Sequence, residues 1–186
     1  MVPILETERL RLRCFREEDL AAQASMLGDE AIMQFLGGVR QSREETWRRM
    51  LAMIGCWPTF GFGYWAIERL SDGAVLGQVG FADYKRDINP SIDTLPEMGW
   101  VVARHAHGHG YAGEAVEAGL RWADAHLAGR DIVAIIDPGN EASLALAKRS
   151  GFSQYEEAMY KGAPILIFRR FARSPAAAAT TATPAP

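Results

Sequence analysis

Cysteine is scarce in this chain: Cys14 and Cys56 are the only two in 186 residues. Two thiols this far apart cannot build the multi-bridge framework of a small secreted domain, and both are expected to be reduced and partly buried. No apolar run approaches the roughly 20 residues that cross a bilayer as a helix. No signal peptide opens the chain, because "MVPILETERLRLR" turns charged almost at once. A surplus of either charge is also missing. Lys and Arg number 20 against 23 Asp and Glu, for a net charge of −3, which argues against a dedicated nucleic-acid binder with a basic face. The expectations are a cytoplasmic address, no nucleic-acid partner and no membrane. The last stretch, "SPAAAATTATPAP", has no charge, no aromatic and no large aliphatic side chain. It cannot bury enough apolar surface to offset the entropy of ordering. It is predicted as a disordered tail over 174–186, after a single domain over 1–173. No internal repeat is visible.

What is present is a globular mixture, 48% hydrophobic and 23% charged, enough for one sizeable core. "RLRLRCF" alternates charged and apolar residues and reads as a strand with one wet face. "EEDLAAQASML" reads as a short helix. Ser42 and Glu45 form a capping box before a second helix, in which Trp47, Met50, Leu51 and Ile54 recur at helical spacing. "GCWPTFGFG" is expected to end that helix, with Trp57, Phe60 and Phe62 packing at a hinge. "YWAIER" and "AVLGQVGFADY" form a hairpin through Asp72-Gly73. "KRDINPSIDTLP" is a polar loop, and "EMGWVVA" (Glu97–Ala103) is a strand. A helix rich in small residues follows over Tyr111–Leu127, then the apolar strand "DIVAIID". Asn140 N-caps the next helix and Gly151 ends it. "PILIFRRF" is the last strand. "RRM" and "KR" read as solvated charges. Hairpins first and one β-α-β crossover later make the fold class mixed α+β rather than a repeating βα array.

The stretch "RHAHGHGYAGEA", residues 104–115, admits three chemistries. His105, His107 and His109 alternate as metal ligands on an extended segment would. The intervening glycines point instead to a tight turn that scatters the rings, and no acidic partner is adjacent, so no metal is expected. Gly108, Gly110 and Gly113 spell G-x-G-x-x-G after a strand and before a helix, with Asp137 ending the next strand at a plausible place for a ribose contact. A dinucleotide fold, however, needs several parallel βα units with the fingerprint near its start. The third reading keeps the local physics alone. Unpaired N–H groups at a helix start bind a pyrophosphate, and glycines let the backbone approach it. Taken in isolation, the same glycines could do no more than cap a helix.

Four ordered segments decide among these by resemblance. "ETERLRLRCFREEDL", "GYWAIERLSDGAVLGQVGF", "EMGWVVARHAHGHGYAGEAVEAGLRWA" and "GNEASLALAKRSGF" resemble the first strand and helix, central hairpin, cofactor motif and late Asn-x-x-Ser helix of GNAT-fold N-acetyltransferases. Within that superfamily they look like the ribosomal-protein-alanine N-acetyltransferases. The resemblance spans Glu6 to about Phe171. It implies a mostly antiparallel twisted sheet with splayed central strands and helices on both faces.

The resemblance also implies a site. The family loop Q/R-x-x-G-x-G/A falls on His107, Gly108, His109, Gly110, Tyr111 and Ala112, with His107 departing from the usual Gln or Arg. Since His titrates near pH 6.5, a fixed positive charge is lost there, and the backbone is left to hold the pyrophosphate of acetyl-CoA. Gly113 is counted with the cofactor residues; its plainer reading is a glycine that eases helix packing. Backbone groups of Trp100, Val101 and Val102 match the pantetheine-binding strand, where an N–H can also steady an oxyanion, and Asn140 matches a pantetheine contact. Glu97 matches the base that an amine nucleophile needs; its plainer reading is a surface carboxylate at a strand entry. The family's usual tyrosine acid is absent, because Ala147 stands at its place. Ser143 matches the serine used instead to protonate or hydrogen-bond the leaving thiolate; its plainer reading is the third residue of a capped helix. The implied reaction is direct transfer of an acetyl group from acetyl-CoA to an amine, on a protein N-terminus or a small molecule, by a monomer or homodimer. Acceptor choice falls to the first two helices and the Lys85–Pro96 loop. The rival expectation is a noncatalytic acyl-CoA sensor.

Overall fold

The computed structural model describes residues 1–172, so the tail expected to be disordered lies outside the described residues. The elements run β1 (Leu5–Glu6), β2 (Leu10–Arg13), a 3₁₀ turn (Glu17–Asp19), α1 (Leu20–Leu27), α2 (Glu30–Met33), α3 (Arg43–Phe60), β3 (Tyr64–Arg69) and β4 (Val75–Ala82). There follow β5 (Glu97–Val102), a 3₁₀ turn (Arg104–Ala106), α4 (Tyr111–His126), β6 (Ile132–Ile136), α5 (Glu141–Arg149), β7 (Ser153–Tyr160) and β8 (Ala163–Arg170). Among the described residues no helix is long and apolar enough to cross a membrane.

One sheet carries all eight strands in the order β1-β2-β3-β4-β5-β6-β8-β7. Every neighbouring pair is antiparallel except β5 and β6. These two are parallel and share a single register pair, Glu97 with Val133. There the Val133 N–H donates to the Pro96 carbonyl at 3.1 Å. Past that point the strands part, which is the splayed, mostly antiparallel α+β sheet expected of the family.

Side chains alternate across the sheet. Trp65, Ile67, Val79, Phe81 and Met98 face α4, where they bury an aromatic core with Trp57 and Trp122. The indole pairs Trp57–Trp65 and Trp65–Trp122 meet edge to face at 4.8 and 5.3 Å. The other face carries Tyr64, Ala66 and Ala82 against Met50 and Met53 of α3. Phe62 and Trp57 are thus core side chains.

Ser42 and Glu45 close the expected capping box of α3. The helix, however, continues through Pro58 to Phe60, and Gly61 caps it in the left-handed region at φ 78°. Its buried stripe is Thr46, Met50, Met53 and Trp57, while Leu51 is exposed. The loop before β5 is polar in composition, yet Ile88 and Ile92 pin it against Val133, Ile165 and Ile167. A buried ion cluster ties β2 to the turn before α1 and to β3. Arg13 donates to both oxygens of Asp19 at 2.7 and 2.9 Å and to Glu68 at 2.5 Å.

Candidate active site

The loop before α4 is shaped by two glycines. Gly108 and Gly110 sit at φ 79° and 81°, where an L side chain costs about 1–2 kcal/mol. Gly110 has no side chain with which to cap α4, and the first helical bond runs from the Glu114 N–H to the Gly110 carbonyl at 3.1 Å. The N–H groups of Tyr111, Ala112 and Gly113 therefore have no acceptor within the helix. With the helix dipole behind them they make an anion site.

Glu114 holds this turn in place. Its Oε1 accepts from Thr7 Oγ1 at 2.6 Å and from the Arg9 N–H at 3.0 Å, and its Oε2 accepts from Arg9 Nε at 2.7 Å. Burial opposes the carboxylate's charge, but the bonds from Thr7 and Arg9 outweigh it and hold Glu114 below the usual glutamate range. The Arg9 guanidinium lies 4.7 Å from the Tyr111 ring centre and donates to the His109 carbonyl at 2.9 Å.

A cavity of about 720 Å³ opens in front of this turn. Its walls include Ile32, Phe35 and Leu36 from α2 and the turn after it, and Trp100, Val101 and Val102 from β5. The loop and α4 add His107, Gly108, Gly110, Tyr111, Ala112 and Gly113, and the α5 side adds Asn140, Ser143, Leu146 and Arg149. The structure thus gathers every cofactor residue expected from the sequence except His109, which is not part of this wall. The His107 ring turns back onto β5, with Nε2 2.7 Å from the Val102 carbonyl. A carbonyl only accepts, so Nε2 carries a proton, and the ring staples the loop to the strand.

The β5 edge is also sharper than the sequence implied. Residues 97 to 102 pair with β4, and the Ala103 N–H donates to Leu76, so odd-numbered backbone groups face β4. The Pro96 carbonyl faces β6, and alternation puts the backbone N–H and carbonyl of Trp100 on that open edge. Val101 points its backbone at β4 instead and offers only its side chain to the cavity. The Val102 carbonyl is taken by His107. Arg104 and Arg149, two cations unmarked in the sequence, also line the cavity.

At the split between β5 and β6, Asn140 Oδ1 accepts from the Ser143 N–H at 3.1 Å. Ser143 Oγ accepts from the Trp100 indole N–H at 3.3 Å. Its own hydroxyl hydrogen is left free to donate. Asn140, Ser143, Trp100 and Val101, with Phe35 and Leu36, also border a second cavity of about 120 Å³. The two spaces therefore meet at the strand split.

Glu97 lies in this second cavity and is only 5% exposed. Arg86 grips both its oxygens, Nε to Oε2 at 2.6 Å and a terminal nitrogen to Oε1 at 2.7 Å. The guanidinium sits between the rings of Tyr84 and Tyr160, at 4.6 and 4.9 Å. Burial works against the Arg86 charge, but the bond to Glu97 prevails and the group is more firmly protonated than usual. Glu97 is thus no surface carboxylate, and Arg86 is no solvated charge. Tyr64 is buried beside them, its hydroxyl so close to β5 that a β-carbon on Gly99 would stand 2.3 Å away. Burial, then the neighbouring Tyr84 and Glu97, push its ionisation well above the ordinary phenol value, so it remains an O–H donor at neutral pH. No local spacing marks Arg86, Tyr64 or Arg49, which come from a loop, a strand and a helix far apart in sequence.

Comparison with known proteins agrees with this geometry. Residues 9–153 match the family model of the acetyltransferase (GNAT) domain. The chain is 29% identical over 171 residues to the uncharacterised protein YkkB of Bacillus subtilis, covering 89% of this chain and 94% of that protein. A GnaT-family acetyltransferase structure from Bordetella pertussis is 30% identical, with a TM-score of 0.80, and the match covers 91% of this chain and 99% of that one. The ribosomal L7/L12 alpha-N-protein acetyltransferase RimL, solved with coenzyme A, shares the fold at a TM-score of 0.73 and 19% identity, over 91% of this chain and 98% of that one. With its split sheet, glycine-shaped helix start and paired cavities, this chain belongs to the GNAT acetyltransferases and is an acyltransferase enzyme.

Proposed function

We propose that the protein is an acetyl-CoA-dependent N-acetyltransferase that passes the acetyl group to a primary amine by direct attack. The observation that carries this reading is the junction of the two cavities at Trp100, Val101, Asn140 and Ser143. A long, anion-binding space and a small, polar space meet where β5 and β6 separate, so a thioester from one side and an amine from the other can meet.

The residues fit acetyl-CoA as a substrate. The unpaired N–H groups of Tyr111 to Gly113 suit a pyrophosphate, and Arg104 and Arg149 add charge at the same cavity. The open Trp100 backbone edge and the Asn140 amide suit the pantetheine. Acetyl-CoA brings an activated acyl group with a thiolate leaving group; the chain supplies position and proton transfer. Glu97 takes the proton from the attacking amine, directly or through water. Two of the roughly four lone-pair sites of its carboxylate are occupied by Arg86, and the others remain available. The Ser143 hydroxyl donates a hydrogen bond that steadies the departing thiolate, which takes its proton from solvent. The acceptor is a small-molecule amine or a protein N-terminus.

A coupled assay for free thiol, run with acetyl-CoA over a panel of amines and peptides, tests this directly. The expected result is saturable, amine-dependent thiol release with matching N-acetyl product. Tight acetyl-CoA binding without transfer to any acceptor would instead favour a sensor.

A further inference from the structure

Resting on that reading, the small cavity carries information about what the acceptor looks like. Its walls combine charged and polar side chains from both sides of the sheet split. Arg49 of α3, Gln78 of β4 and the Tyr84 and Arg86 loop come from one side, and Asp137 at the end of β6 from the other. The charges do not all cancel in place. Arg86 is spent on Glu97. Arg49 has no ion-pair partner among the described residues, and its Nε is buried without a hydrogen bond. Its charge is felt by both Tyr64 and Tyr84, so the free guanidinium sits beside those phenols.

Gln78 adds a second, independent observation. It is 1% exposed, and neither its amide oxygen nor its amide nitrogen has a partner. A primary amide buried this deeply in the middle of a sheet is almost always satisfied, and leaving it open is costly. Gln78 pairs in register with Val101, so its side chain rises on the cavity face of the sheet next to the strand that meets both spaces. An orphaned amide, with one donor nitrogen and one acceptor oxygen, and an unpaired guanidinium on one wall, with the Asp137 carboxylate across from them, complement a molecule that carries both an anion and a cation.

We infer that the acceptor is a small primary amine bearing a carboxylate, whose anionic end is held by Arg49 and Gln78 while its amine faces Glu97 and the Ser143 junction. Arg matches a carboxylate through a planar two-pronged donor set, which Lys reproduces only as a point charge. A cavity of about 120 Å³ accommodates an amino-acid-sized molecule. Neither Arg49 nor Gln78 touches the reacting atoms in this scheme, so both are specificity residues.

The test compares matched acceptors at equal free-amine concentration: amino acids, their carboxamides, and short peptides with the same first residue. The full chain and acetyl-CoA are used throughout. The carboxylate member of each pair should be preferred at least tenfold in kcat/KM. Arg49→Gln should bring that preference close to one, chiefly through KM, while Arg49→Lys keeps part of it. Gln78→Met should reduce it without abolishing transfer. Equal rates on carboxylate and carboxamide, a preference unchanged in Arg49→Gln, or better turnover of the peptides would overturn the inference. If no amine is acetylated at all, the transfer reading fails separately. Calorimetry of amino-acid binding to the coenzyme A complex then decides this one. Binding to the wild type that disappears in Arg49→Gln sustains it, and absence of binding to the wild type sinks it.

Discussion

At the scale of single residues, the candidate site divides into what spacing can reveal and what only folding assembles. The glycine turn that starts α4 was legible because its geometry is local, while only the family resemblance assigned it to an anion. Gly108 and Gly110 need the left-handed region, and the free N–H groups come from the helix they start. The Asn140 cap was legible for the same reason, whereas Ser143 enters the candidate site only through family resemblance. Glu97 was found only through family resemblance, and its partner Arg86 was read as solvent-exposed. Nothing in "KR" reveals that the second residue folds back eleven positions onto a strand. The pairing sharpens a prediction. On the proposed mechanism Glu97→Gln removes the proton acceptor, so kcat/KM should fall by about 10²-fold or more, within the range for a lost general base. The residual activity should track the concentration of free amine as pH rises, with the KM for acetyl-CoA little changed. Steady-state kinetics across pH would show it. A wild-type rate and profile in the variant would remove Glu97 from the chemistry.

At the scale of elements, periodicity served well where one face is buried and poorly where none is. The β3–β4 hairpin, β5, β6 and α4 sit within a few residues of their expected places, because each has a continuous apolar face or a strong turn signal. β7 went unseen. Every residue in it is at least partly exposed, so no alternation arises, and only the Lys161-Gly162 turn could have announced it. The continuation of α3 through Pro58 was missed because a proline normally stops a helix. Trp57 explains the exception, for its indole N–H donates to the Tyr64 carbonyl at 3.0 Å, and its ring is locked among Trp65 and Trp122. Tertiary packing overrides the local rule.

The join between β2 and the first helix invites a stability test. Arg13, 4% exposed, neutralises Asp19 and Glu68, which are 2% and 8% exposed. Arg13→Met strands the buried Asp19 and leaves Glu68 with Arg11 alone, and should cost about 3–5 kcal/mol, read as a lower urea midpoint at pH 7. The acid side follows from the same cluster. Burial opposes the charge on Glu68, but Arg13 and Arg11 overcome this and set its folded value below the ordinary 4.5. A lowered folded value means stability that is complete above 4.5 and is lost as pH falls below it. The wild type should therefore weaken below that pH, and Arg13→Met should weaken less steeply there.

At the scale of the whole molecule, the larger cavity is a seam. One side comes from α2, β5 and the start of α4, the other from α5, and the ladder between β5 and β6 is a single register pair, Glu97 with Val133. The sheet alone joins them weakly at the point where it opens. A ligand spanning the seam binds the folded chain and not the unfolded one, so it must add stability in proportion to its saturation. At about 100 times its Kd, coenzyme A should add about 2.7 kcal/mol, which for a chain of this size is a rise in Tm of roughly 5–10 °C. Gly110→Val separates seam-bridging from nonspecific effects. Its β-branched side chain is strained at φ 81°, and its β-carbon meets an Arg9 nitrogen at 3.4 Å, so the helix start shifts while the buried core is untouched. That variant should melt within a few degrees of the wild type alone, yet show less than half the shift at the same coenzyme A concentration. Differential scanning fluorimetry with a coenzyme A titration reads both quantities. An equal shift in the two proteins would mean that the turn before α4 is not where the ligand's charge is held.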